Sequence, residues 1–72
     1  MQCYIIWVTT QYDGYEWSIL ALTRARSEVS AEKKAQRSDF THDNGSEIQS
    51  IDRVEYISQV KFDVLSKYLI II

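Results

Sequence analysis

Asp13-Gly14 lies between two runs of residues that favour extended backbone, and no other feature limits the possible folds as strongly. Residues 3–10 (Cys-Tyr-Ile-Ile-Trp-Val-Thr-Thr) are almost all β-branched or aromatic, and so are many of residues 15–23. Asp-Gly suits the two central positions of a type I′ turn, because both need φ > 0. A two-residue loop then fixes the pairing. One face carries Tyr12/Tyr15, Thr10/Trp17, Val8/Ile19, Ile6/Ala21 and Tyr4/Thr23. The other carries Gln11/Glu16, Thr9/Ser18, Trp7/Leu20, Ile5/Leu22 and Cys3/Arg24. A hairpin with one wet face shows one polar set, since side chains alternate across a strand. Here the first face is apolar or aromatic along its length, and the second is apolar away from the turn. Both faces need cover.

The next segment supplies one cover. Ser27 is suited to cap a helix over about 28–38, with Glu28 in its first turn, where the helix dipole favours negative charge. Ala31 and Ala35 share a face, joined at its margins by Val29 and Phe40, while Lys33 and Arg37 point away. Small residues let a helix lie close to a sheet but hide little of it. Residues 38–46, with Asn44-Gly45, read as a loop. Beyond it Ile48, Ile51, Val54 and Ile57 recur every three residues, a helical hint, and Ser46 with Gln49 offers a capping box. A third strand over about 48–57 is preferred, because an isolated hairpin needs another strand for stability. Val60-Lys61-Phe62-Asp63-Val64 alternates as a strand would. The last segment is either a fourth strand at 67–72, or a short helix at 59–66 followed by one. The expected fold is one α+β domain over 1–72: an antiparallel sheet of three to four strands, ββαββ-like, packed against one short helix.

Composition bounds the chemistry. A 72-residue chain supports one domain with a thin core. Cys3 is the only cysteine, so neither an internal disulfide nor a thiolate-rich zinc site can reinforce that core. Hydrophobic packing remains, with self-association as a supplement, and a reducing cytoplasm is the expected compartment. A 46% hydrophobic share argues against disorder. The run Tyr68-Leu69-Ile70-Ile71-Ile72 is far short of the roughly 20 residues a spanning helix needs. It reads as a buried strand or a sticky end. His42, the one histidine, sits beside Asp43 in a polar loop and is read as solvated. A Cys3–His42 dyad would require two distant segments to meet, and a lone cysteine near a strand start is usually a buried small hydrophobe. Two glycines, Gly14 and Gly45, cannot form a glycine-rich phosphate loop. The pairs Asp52/Glu55 and Asp39/Asp43 are spaced as surface carboxylates. No enzyme activity, metal or cofactor is expected.

Contact surfaces are the remaining candidates. Tyr4, Tyr12, Asp13, Tyr15 and Trp17 form a partner-binding set on the first hairpin face, because Tyr and Trp supply large contact area at low entropic cost. The plain alternative is that these aromatics pair across the strands and serve as core. Charge is segregated within a net −2: residues 24–37 hold Arg24, Arg26, Lys33, Lys34 and Arg37 against Glu28 and Glu32. Residues 39–55 hold five acids, Asp39, Asp43, Glu47, Asp52 and Glu55, against Arg53. The basic group is an alternative nucleic-acid-binding set; its plain reading is a solvated helix face.

The order hairpin, "LTRARSEVSAEKKAQRSDF", then "EIQSIDRVEYI" resembles the small ββαβ proteins of phages and mobile elements, DpnD/PcfM-like proteins among them. Ala25, Ser27, Ala31 and Ala35 fit the A-x-S-x-x-x-A-x-x-x-A helix start of that pattern. Some anti-CRISPR proteins are built from comparable strand–strand–helix–strand units. The resemblance covers about residues 3–57, is one of fold elements, and carries over no active site. It implies a phage or mobile-element origin and a non-enzymatic inhibitor or adaptor in the host cytoplasm. The implied partner is a host protein or protein–nucleic-acid complex, with no membrane. A small nucleic-acid-binding regulator and a homodimeric accessory protein are the other two readings.

Overall fold

A computed structural model describes residues 1–38 and 47–72. Its elements are β1 (Gln2–Tyr12), β2 (Tyr15–Ala25), α1 (Glu28–Arg37), β3 (Glu47–Ile57), α2 (Gln59–Leu65) and β4 (Ile70–Ile71). The strands form one sheet in the order β3-β1-β2-β4. Strand β1 pairs antiparallel with both β2 and β3, whereas β4 lies parallel to β2.

The hairpin has the register that its turn dictates, from Tyr12↔Tyr15 to Cys3↔Arg24 and Gln2↔Ala25. Asp13 and Gly14 take φ of 51° and 83°, the left-handed pair that a type I′ turn requires. The hairpin's first strand is an inner strand of the sheet with structure on both faces, which is why Tyr4-Ile5-Ile6-Trp7-Val8 does not alternate between apolar and polar.

Each face has its own helix. Tyr4, Ile6 and Val8 pack with Ala25 beneath Ala31 and Ala35 of α1, joined by Ile48, Ile51, Val54 and Ile72. On the other face Cys3, Ile5, Leu22 and Ile57 pack with Phe62 of α2, flanked by Trp7, Leu20, Leu65 and Leu69. The topology explains the division. Strands β2, β3 and β4 are mutually parallel, so β2-α1-β3 and β3-α2-β4 are both crossover connections. They travel across the sheet in opposite directions, so they keep one hand only by using opposite faces.

Local chemistry sets the helix starts. Ser27 accepts a hydrogen bond from the Ser30 amide and Ser58 accepts one from the Lys61 amide, both at 3.1 Å. Val29 is exposed rather than part of the α1 stripe.

Two expectations are corrected. The sheet is mixed, not antiparallel, and two helices cover it, not one. Residues 60–64 are helical despite their alternation, because Ser58 caps the segment and only Phe62 of that run is buried. Of the two readings of the last segment, the short helix followed by a strand is the one observed.

The three-residue period in β3 has a different cause from a helix. Trp7↔Arg53 is followed by Val8↔Ile51, and Thr9↔Ser50 by Thr10↔Ile48, so Asp52 and Gln49 are extra residues in two irregularities of the ladder. Each extra residue resets the alternation. Ile48, Ile51 and Val54 therefore face α1 together although they stand three apart. No capping box forms at Gln49, which is in strand. Of the expected loop at 38–46, Ser38 is the C-cap of α1, and the rest, with Phe40, His42, Asp43, Asn44-Gly45 and Ser46, lies outside the described residues.

Candidate contact surface

Strand length against helix length decides what the tip of the hairpin presents. An eleven-residue strand extends about 36 Å, whereas ten-residue α1 and seven-residue α2 span only about 15 and 10 Å. Both helices sit over the end remote from the turn, against Cys3–Val8 and their partners. The turn end projects beyond them. Tyr12 is 49% exposed and Tyr15 74%, side by side on the face that α1 covers further down. Trp17, the next residue on that face, is half-buried opposite Thr10. Asp13 is exposed in the turn between the tyrosines. Four of the five proposed contact residues thus cluster on one stiff tip.

Tyr4 does not belong with them, which corrects its place in that set. It is 2% exposed at the other end of β1, and its ring meets Tyr56 edge-on with centroids 6.1 Å apart. Its hydroxyl donates to Gln2 Oε1 at 2.5 Å. Tyr4 is core.

The basic residues divide in the same manner. Arg24, Arg26 and Lys34 line a groove of about 350 Å³ with Met1, Ala25 and Ser30, and Lys34 Nζ donates to the Arg24 carbonyl at 3.1 Å. The Arg24 guanidinium lies 4.5 Å from the centroid of Phe62, so part of its role is to roof the second core. Lys33 and Arg37 are exposed on α1 but do not line that groove.

Other apolar side chains are exposed outside the proposed set. Val60 and Val64, four apart on the outer side of α2, are exposed, as are Tyr56, Tyr68, Ile70 and Ile71. On the helical reading of this segment the four-residue spacing places Val60 and Val64 on one face.

The middle of β3 carries an organised polar cluster. Asp52, at one of the two irregularities, accepts hydrogen bonds from Ser50 Oγ at 2.6 Å and Thr9 Oγ1 at 2.5 Å. These bonds hold its carboxyl below the ordinary value of 3.8, Ser50 contributing most and Thr9 next, with slight burial opposing them. Arg53 stacks 5.0 Å from the Trp7 ring centroid and approaches Glu55 at 3.3 Å. The cluster ties β1 to β3 through Thr9 and Asp52. Cys3 is buried with its thiol 3.4 Å from Gln59 Oε1, and no group of three metal-ligating side chains occurs among the described residues. Among the same residues no helix is long and apolar enough to cross a membrane. Comparison with protein-family models, curated proteins and solved structures gave no match to this chain.

Proposed function

We propose that this domain is a non-enzymatic protein-binding module, an inhibitor or adaptor of phage or mobile-element type that occupies a surface of a host protein complex. The observation that carries this reading is the exposed Tyr12/Tyr15 pair on a tip held beyond the reach of both helices. Paired strands fix the backbone beneath these rings, so little conformational freedom is lost on contact. Tyrosine in such a setting gives an anchor with both apolar area and a hydroxyl for orientation.

The test compares affinity capture of host protein by the parent chain and by Tyr12→Ser, with circular dichroism confirming the fold of each. Loss of one central anchor of about 2 kcal/mol weakens binding roughly 30-fold. Capture that is equal for both chains would remove the tip from the interface.

A second reading has its own observation, the groove lined by Arg26 and Lys34 with Arg24, whose guanidinium lies over Phe62. Nucleic-acid binding there would be steeply salt-dependent and would weaken in Arg26→Ala and Lys34→Ala while surviving Tyr12→Ser. The opposite pattern belongs to the protein-binding reading.

A further inference from the structure

The two edges of the sheet are finished differently. On the β3 edge the ladder is broken twice, and Asp52, Arg53 and Glu55 bring charge to it; irregular, charged strands resist pairing with another chain. On the opposite edge β4 pairs only with Ala21 and Leu22, and Ile72 donates its amide to the Leu22 carbonyl at 2.9 Å. Among the described residues no strand pairs with the outer side of Tyr15–Leu20. Leu22 therefore turns its backbone outward. Since outward and inward residues alternate along a strand, Leu20, Ser18 and Glu16 also present N–H and C=O groups away from β1. The Tyr15–Leu20 segment has no proline and one charge, Glu16. It is an open edge without the usual protections.

We propose that a second copy of this chain covers that edge, β2 against β2 in antiparallel register about a two-fold axis through Trp17. The segment is complementary to itself, which favours a second copy, and its geometry selects the register. Outward residues must face one another, which allows pairing centred on Trp17 or on Ser18. Centring on Ser18 would put Tyr15 of the partner copy opposite Ala21, where Ile70 already sits; centring on Trp17 puts it opposite Ile19, clear of β4. In the Trp17 register Glu16 faces Ser18 of the second copy, so the one charged side chain of the segment never meets its like. The two half-buried Trp17 side chains then lie on one face in a non-hydrogen-bonded pair, the arrangement that brings side chains closest, flanked by Tyr15 against Ile19. Glu16 and Ser18 exchange about four main-chain hydrogen bonds across the axis. The result is a continuous sheet six strands across, each β4 remaining beside the far end of its own β2, with the tyrosine tips on one face. This inference does not depend on a host partner, because pure protein tests it.

The experiment is sedimentation equilibrium of the purified chain at roughly 100 μM, above the micromolar Kd that a small interface gives. Hydrogen exchange is recorded in parallel. A dimer is expected, with slowed exchange at Glu16 and Ser18 that is lost on dilution. Ser18→Pro removes only an outward N–H and leaves the bonds to β1, so it is expected to be a folded monomer. Should that variant not fold, the pair Ser18→Lys and Ser18→Glu decides: facing Glu16 of the other copy, lysine tightens and glutamate weakens the dimer, about tenfold apart. A monomeric parent chain would overturn the proposal, including one whose Glu16 and Ser18 become protected only on a host protein. A dimer that persists in Ser18→Pro, or that treats the lysine and glutamate variants alike, would overturn it as well.

Discussion

At the residue scale, two polar groups on β1 have opposite fates. Thr10 is fully buried, and its Oγ1 has no hydrogen-bond partner among the described residues. An unpaired buried hydroxyl forfeits its hydration without return, so Thr10→Val, which keeps the branched shape, is expected to stabilise the domain by about 1 kcal/mol in urea unfolding. A loss of that size would mean the hydroxyl is satisfied. Thr9, one residue earlier, donates to Asp52. Because the Asp52 carboxyl is held below 3.8 in the folded chain, its contribution is present above that value and is lost as the pH falls through the lower folded pKa. An NMR titration of the Asp52 carboxyl carbon checks the direction. Asp52→Ala is expected to speed amide exchange locally around Ile48–Arg53 while leaving the remote end of the sheet unchanged.

At the scale of elements, α2 is held to the sheet through one buried side chain. Phe62, its one buried side chain, is 2% exposed and fills the second core. Phe62→Ala is expected to cost about 3–5 kcal/mol, against roughly 4–11 kcal/mol of total stability for a chain of 72 residues. Val60→Lys and Val64→Lys, on the outer side of the same helix, are expected to change stability by less than about 0.5 kcal/mol. Thermal unfolding of the three variants separates them. The hairpin was legible from Asp13-Gly14 alone, down to each cross-strand pair, because a two-residue turn leaves no freedom of register. Helix α1 was legible from Ser27 and the Ala31/Ala35 spacing. The second helix was ambiguous because seven residues hold fewer than two full turns, and Val60-Lys61-Phe62-Asp63-Val64 satisfies the strand period as well. Strand β3 gave mixed signals for another reason: inserted residues at Gln49 and Asp52 turn a two-residue period into a three-residue one. The tip was legible as a candidate site, but Tyr4 was not separable from it, since shared face does not tell which end a helix covers.

At the scale of the whole molecule, the hairpin's two apolar faces needed two covers, and residues 58–72 supply the second. They close it with β4 beside β2, where Thr23 Oγ1 also donates to the Ile72 carbonyl at 3.1 Å. Deleting residues 70–72 is expected to lengthen the open β2 edge to its full extent and to promote association beyond a dimer, visible as rising light scattering on gentle warming. With both faces covered, the proposed contact role rests on a smaller area than two bare faces would provide: the Tyr12–Trp17 tip. Site-specific photocrosslinking in the native cell tests that claim most directly, with the photoreactive side chain placed at Tyr12 and, for comparison, at Lys33 on the outer side of α1. A discrete protein adduct from position 12 and none from position 33 is the predicted result; adducts from position 33 alone, or nucleic acid in place of protein at position 12, would contradict it.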